Sequence, residues 1–117
     1  MPDTIINNQP KVALVTGAAK RIGAEIAQQL HAAGFNIIVH YNQSAVAAQE
    51  LVDELNSERE NSAVGFQADL NDQTQVLTLA RQSADQWQRL DLLVNNASSF
   101  YPTPIGEATN ADWDNLI

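Results

Sequence analysis

Four short apolar runs alternate with longer stretches of helical period. Val12-Ala13-Leu14-Val15 is continuously apolar, the pattern of a strand buried on both faces of a parallel sheet. Ile22, Ile26, Leu30 and Ala33 then recur every three or four residues, predicting a helix that buries this stripe and stops at Gly34. A second strand is expected over 36–40. Ser44 stands where it can cap a helix whose buried stripe is Ala48, Leu51, Val52 and Leu55. A third strand over 63–68 precedes a helix with Val76, Leu79, Ala80, Ser83 and Trp87 on one face. The fourth, over 90–94, runs into Asn95-Asn96-Ala97. The order β-α-β-α-β-α-β predicts a doubly wound parallel α/β sheet with right-handed crossovers, no repeat and no linker.

After a proline-containing loop from Ser98 to Gly106, Thr109 reads as an N-cap and Ala111 to Ile117 as the start of another helix. With strand order 3-2-1-4 the fourth strand would be an apolar edge. Open α/β sheets bind ligands in the crevice where strand order reverses, here beyond strands 1 and 4. The expectation is therefore the N-terminal, ligand-binding portion of one domain spanning 1–117, with 1–10 as a flexible tail.

Composition narrows the chemistry. The 117 residues are 44% hydrophobic and 17% charged, an ordinary globular balance. With no cysteine, a disulfide framework, a thiolate metal site and a cysteine nucleophile are all excluded; no metal site is expected. Six basic residues against 14 acidic ones give a net charge of -8, which opposes binding to nucleic acid or to an anionic membrane. No apolar run approaches a bilayer span, and the first ten residues lack the pattern of a secretory signal, so a cytoplasmic location is expected.

Against that acidic background, Thr16-Gly17-Ala18-Ala19-Lys20-Arg21-Ile22-Gly23 sits between the first strand and first helix. Small residues let backbone N–H groups approach an anion, and a helix N-terminus faces it with partial positive charge. Gly17 permits a sharp turn and Gly23 close helix packing. The spacing is neither Gly-x-Gly-x-x-Gly nor a P-loop, and on spacing alone a tight βα turn accounts for it equally well. Lys20 and Arg21, however, are a third of all basic residues, placed where an anion would lie. At the end of strand 2, His40-Tyr41-Asn42-Gln43-Ser44 has no carboxylate before Glu50. The acidic partner of an NAD ribose is thus missing, and a 2'-phosphate would not be repelled. Asn42 and Ser44 could donate to it and Arg21 could reach it. Ser44 reads equally as a plain cap, and His40 reads as a structural residue. Asp69-Leu70 would either lie beside an adenine or form a turn.

Together these segments resemble the short-chain dehydrogenase/reductase family, and within it the pteridine reductase branch. The resemblance rests on Thr16 to Gly23, His40-Tyr41-x-x-Ser44, Asp69-Leu70, and the run from Asn95 through Pro104. It covers the chain from Lys11 onward. Most of the wider family has glycine where Arg21 and Ser98 stand here. The resemblance implies a Rossmann-like fold and hydride transfer from NADPH to a dihydropterin or related pterin or folate. Gly17, Lys20, Arg21, Ile22, Gly23, His40, Tyr41, Asn42, Ser44, Asp69, Leu70, Asn96, Ala97 and Ser98 would line the cofactor. Arg21, Ser98 and Phe100 would meet the substrate, with Phe100 stacked on the pterin ring or, alternatively, acting as a loop anchor. The basic residue that some members carry before Ser44 is Gln43 here. A homo-oligomer, commonly a tetramer, is also implied.

The family's Tyr-x-x-x-Lys pair has no match: Tyr41 and Tyr101 are the only tyrosines, and neither has a lysine four positions on. The expectation is a reductase portion, inactive by itself, that lacks its proton-transfer residues. The alternative is a naturally short, non-catalytic nucleotide-binding or interaction module.

Overall fold

The computed structural model describes residues 9–96. The elements are β1 (Val12–Val15), α1 (Arg21–Ala32), β2 (Asn36–Tyr41), α2 (Ala45–Glu58), β3 (Ala63–Gln67), α3 (Gln73–Gln86) and β4 (Leu92–Val94). All pairings are parallel and the order is β3-β2-β1-β4, as the sequence predicts. The helix expected at 111–117, its cap Thr109, and most of the expected tail lie outside the described residues.

Alternate strand residues feed two separate cores. Ala13, Val15, Ile37 and Val39 pack with Ala27 of α1 and with Ala48, Leu51, Val52 and Leu55 of α2. Val12, Leu14 and Ile38 pack on the other face with Leu79 of α3, flanked by Trp87 and Leu93. The sheet is therefore the middle of three layers, and every residue of β1 is buried on both sides. Leu14, Ile37 and Ile38 have no exposed surface, and burying each contributes about 1.5–3 kcal/mol. No helix among the described residues is long and apolar enough to cross a membrane.

Helix α1 departs from its predicted face. Its buried residues are Gly23, Ala27 and His31, while Ile22 is 69% exposed and Ala33 is exposed. Ile26 and Leu30 are half-buried at the margin of the stripe. Small residues at 23 and 27 let the helix lie close to the sheet, which rotates the larger apolar side chains to its flanks. Gly34 ends the helix at φ 104°, a conformation favourable to glycine. Arg59 then donates to the carbonyls of His31 (3.1 Å) and Phe35 (2.5 Å), covering the helix end. Strands β2 and β3 end at Tyr41 and Gln67, each one residue from expectation, and β4 begins at Leu92 rather than at Leu90. Just before it, the carboxylate of Asp91 takes the N–H of Val12 (2.8 Å) and a bidentate pair with Arg89.

Candidate functional site

The register sets Val15 level with Val39 on one side and with Val94 on the other. Their following residues consequently emerge together at the carboxyl edge of the sheet. Thr16 ties two of these ends: its N–H donates to the Val94 carbonyl (2.9 Å) and its hydroxyl accepts the N–H of Asn96 (2.8 Å). Asn95 Oδ1 lies 3.1 Å from the same hydroxyl.

The turn after β1 is held from beneath by His40. Gly17, at φ 61°, donates its N–H to His40 Nδ1 (2.9 Å), and Ala18 donates to the His40 carbonyl (3.0 Å). Because Nδ1 accepts, the ring proton sits on Nε2, which donates to the Ala68 carbonyl (2.9 Å). The imidazole is 2% exposed. Burial lowers its pKa below the ordinary histidine value, with the Ala68 hydrogen bond opposing. Across the turn, Asn96 Nδ2 donates to the Gly17 carbonyl (3.4 Å). A methyl group at Gly23 would collide with the Gly17 carbonyl oxygen and stand 2.5 Å from Asn96 Nδ2. Glycine at 23 is therefore a packing requirement.

The donors that remain define what this end of the sheet can bind. The N–H groups of Gly23 and Ala24 turn back to the Lys20 carbonyl. Those of Ala19, Lys20, Arg21 and Ile22 have no acceptor among the described residues. All four residues line one cleft of about 720 Å³. Arg21 opens α1 at φ 49°, a left-handed conformation that costs a side-chain-bearing residue roughly 1–2 kcal/mol relative to ordinary helical geometry.

The facing wall comes from the end of β2. Tyr41, Asn42, Gln43 and Ser44 line it, joined by Leu70 and Asn96. Gln67 Nε2 donates to the Asn42 carbonyl (3.1 Å) and to its Oδ1 (3.3 Å), which leaves the Asn42 amide N–H₂ as the group to donate elsewhere. Ser44 occupies the N-cap position of α2, and its carbonyl accepts from Ala48 (2.9 Å), but its hydroxyl makes no capping bond. The side-chain cap read from sequence is thus absent. Among the described residues, Lys20 and Arg21 are the cations of the cleft and no carboxylate lines it.

Of the residues read as cofactor-binding, Gly17, Lys20, Arg21, Ile22, His40, Tyr41, Asn42, Ser44, Leu70 and Asn96 all reach this cleft. Gly23 lies behind it. Asp69 does not line it. Its carboxylate accepts the N–H of Asn71 (2.9 Å) and its N–H is held by Gln75 Oε1 (2.8 Å), so it builds the turn. Ala97, Ser98 and Phe100 lie outside the described residues. Ala19 and Gln43 also line the cleft and were not singled out. Ala19 offers only a backbone donor, and Gln43 was read as the absence of a basic residue. No group of three or more His, Cys, Asp or Glu residues suited to a metal occurs among the described residues.

A model of the short chain dehydrogenase family matches residues 11–117. The chain is 47% identical to pteridine reductase 1 of Leishmania tarentolae, over 80% of this chain and 38% of that protein. It is 36% identical to a hydroxynaphthalene reductase-like protein of Metarhizium guizhouense, over 92% of this chain and 40% of that protein. A short-chain dehydrogenase/reductase of Pestalotiopsis microspora is also 36% identical, over the same shares. The chain spans about two-fifths of the length of these curated relatives.

Proposed function

The chain belongs to the short-chain dehydrogenase/reductase family of oxidoreductases, and from that premise we propose that it is the NADPH-binding portion of a pterin-reducing enzyme. The observation that carries the reading is the composition of the cleft among the described residues: two cations, no carboxylate, and four backbone donors without an acceptor there, in a chain of net charge -8.

These groups fit a dinucleotide phosphate. The free amides of Ala19 to Ile22 at the start of α1 suit a pyrophosphate. Arg21, the Asn42 amide and the uncommitted Ser44 hydroxyl suit a 2'-phosphate, since a carboxylate at the end of β2 would repel it. Leu70 supplies an apolar contact for the adenine. When bound, NADPH supplies the hydride. The described residues contribute binding, charge neutralisation and orientation. The 47% identity to a pteridine reductase supports a dihydropterin or related pterin as acceptor, met by Arg21, Ser98 and Phe100. The 117 residues contain no Tyr-x-x-x-Lys pair, so by themselves they are expected to bind the dinucleotide without reducing pterin. The protein is read as cytoplasmic and as a homo-oligomer.

Titration of the chain with NADPH and with NADH, followed by cofactor fluorescence, tests this. NADPH should bind tighter by about tenfold, and Arg21→Ala should remove most of that preference, as expected for a charge-assisted phosphate contact of about 1.5–3 kcal/mol. Equal affinity for the two would remove the 2'-phosphate from the reading. Binding of neither would remove the dinucleotide.

A further inference from the structure

We propose that His40 is a positioning residue for dinucleotide binding: its neutral imidazole fixes the Gly17 amide from below and thereby aims the free amides of the turn at the cleft. The inference rests on the reading of the cleft as a dinucleotide site and assigns a role to a side chain that does not itself donate to the ligand. Both ring nitrogens are committed to backbone, Nδ1 accepting from Gly17 and Nε2 donating to Ala68. A histidine facing the cofactor would keep at least one nitrogen toward the cleft.

The physical need for such a residue is specific. Gly17 sits at φ 61°, and glycine reaches several alternative conformations at little cost. Something outside the turn must therefore select this one. The backbone of β2 already accepts the Ala18 amide through the His40 carbonyl. The imidazole supplies the second acceptor, so residue 40 holds two successive amides. With those two turned down into the sheet, the amides from Ala19 to Ile22 are the ones presented upward. The same ring reaches across to the end of β3 through Ala68, which ties the turn to two neighbouring strands.

An imidazolium cannot accept from Gly17, because both nitrogens then donate. Protonation would break the turn's lower bond while adding a cation to a pocket that already holds Lys20 and Arg21. Tyr41 follows His40 on its own strand, and Asp69 lies near the end of β3 with its carboxylate engaged by Asn71. No carboxylate among the described residues forms an ion pair with the His40 ring.

The test compares the unchanged chain with His40→Ala and His40→Asn, because asparagine retains an acceptor at the δ position. At pH 7.5, His40→Ala should weaken NADPH binding roughly tenfold, and His40→Asn should recover affinity to within about threefold of the parent. Imidazole ¹⁵N shifts of the unchanged chain provide a readout that needs no variant to fold: they should report the Nε2–H tautomer. An Nδ1–H tautomer, or Ala and Asn variants of equal affinity, would each overturn the role of His40 while leaving the cleft reading intact. Absence of NADPH binding by the parent would remove both.

Discussion

Ser44 and Asp72 occupy the same position relative to their helices, but only one holds backbone with its side chain. Asp72 Oδ1 accepts the N–H groups of Thr74 (2.9 Å) and Gln75 (3.3 Å) at the start of α3. Ser44, at φ -94° and ψ 56°, makes no such bond and leaves its hydroxyl on the cleft wall. Residue type alone marks both as caps. Only the backbone angles decide which side chain is used, which is why the sequence left two readings of Ser44 open. The consequence is a separation of stability from binding. Asp72→Ala should cost about 1 kcal/mol in urea denaturation, whereas Ser44→Ala should stay within about 0.5 kcal/mol of the parent. Ser44→Ala should instead weaken NADPH relative to NADH. A stability loss for Ser44→Ala equal to that of Asp72→Ala would show that its hydroxyl does cap the helix.

At the level of elements, legibility followed the strength of the periodic signal. The stripe of α2, Ala48, Leu51, Val52 and Leu55, and the run of β1 lie where the pattern puts them. Helix α1 was legible only in part: Ile26 and Leu30 pack against the core at half burial, but its buried centre is Gly23, Ala27 and His31, the first two too small to register as an apolar stripe. Its large apolar residue Ile22 belongs to the cleft instead. The turn was legible as a turn, but nothing in its spacing reveals that Gly23 packs against Gly17 and Asn96, since Asn96 arrives from 79 positions beyond Gly17. That three-way contact joins the start of α1, the turn and the end of β4. Gly23→Ala should therefore act on all three, at a cost of about 1–3 kcal/mol from overpacking and with loss of NADPH binding. Denaturation and cofactor titration of one variant measure both effects. Retained stability with retained binding would mean that the helix can withdraw from the turn without disturbing it.

At the scale of the whole molecule, the carboxylates among the described residues lie outside the cleft and both histidines are buried, and this arrangement sets the response to acid. His31 and His40 are 1% and 2% exposed. His31 is held below its ordinary pKa by burial first and by Arg59 second, against the opposing pull of Glu58. His40 is lowered by burial, against its bond to Ala68. In both cases the unfolded chain takes up a proton before the folded one. Stability is therefore complete above the ordinary histidine value near pH 6.5 and falls as pH drops through the lowered folded values. The limiting slope is about 1.4 kcal/mol per pH unit for each histidine. Asp91 acts further down the scale. Held low by its hydrogen bonds to Arg89 first and then to Val12, it contributes above the ordinary carboxylate value and loses that contribution in stronger acid. Urea midpoints measured from pH 8 to pH 3 should thus show a plateau above pH 6.5, a decline below it, and a further loss below about pH 4. His40→Asn should make the first decline shallower without removing it, because His31 remains. A parent profile flat from pH 7 to pH 5 would mean that the folded protein accepts charge at both buried rings, against the geometry that makes Nδ1 of His40 an acceptor.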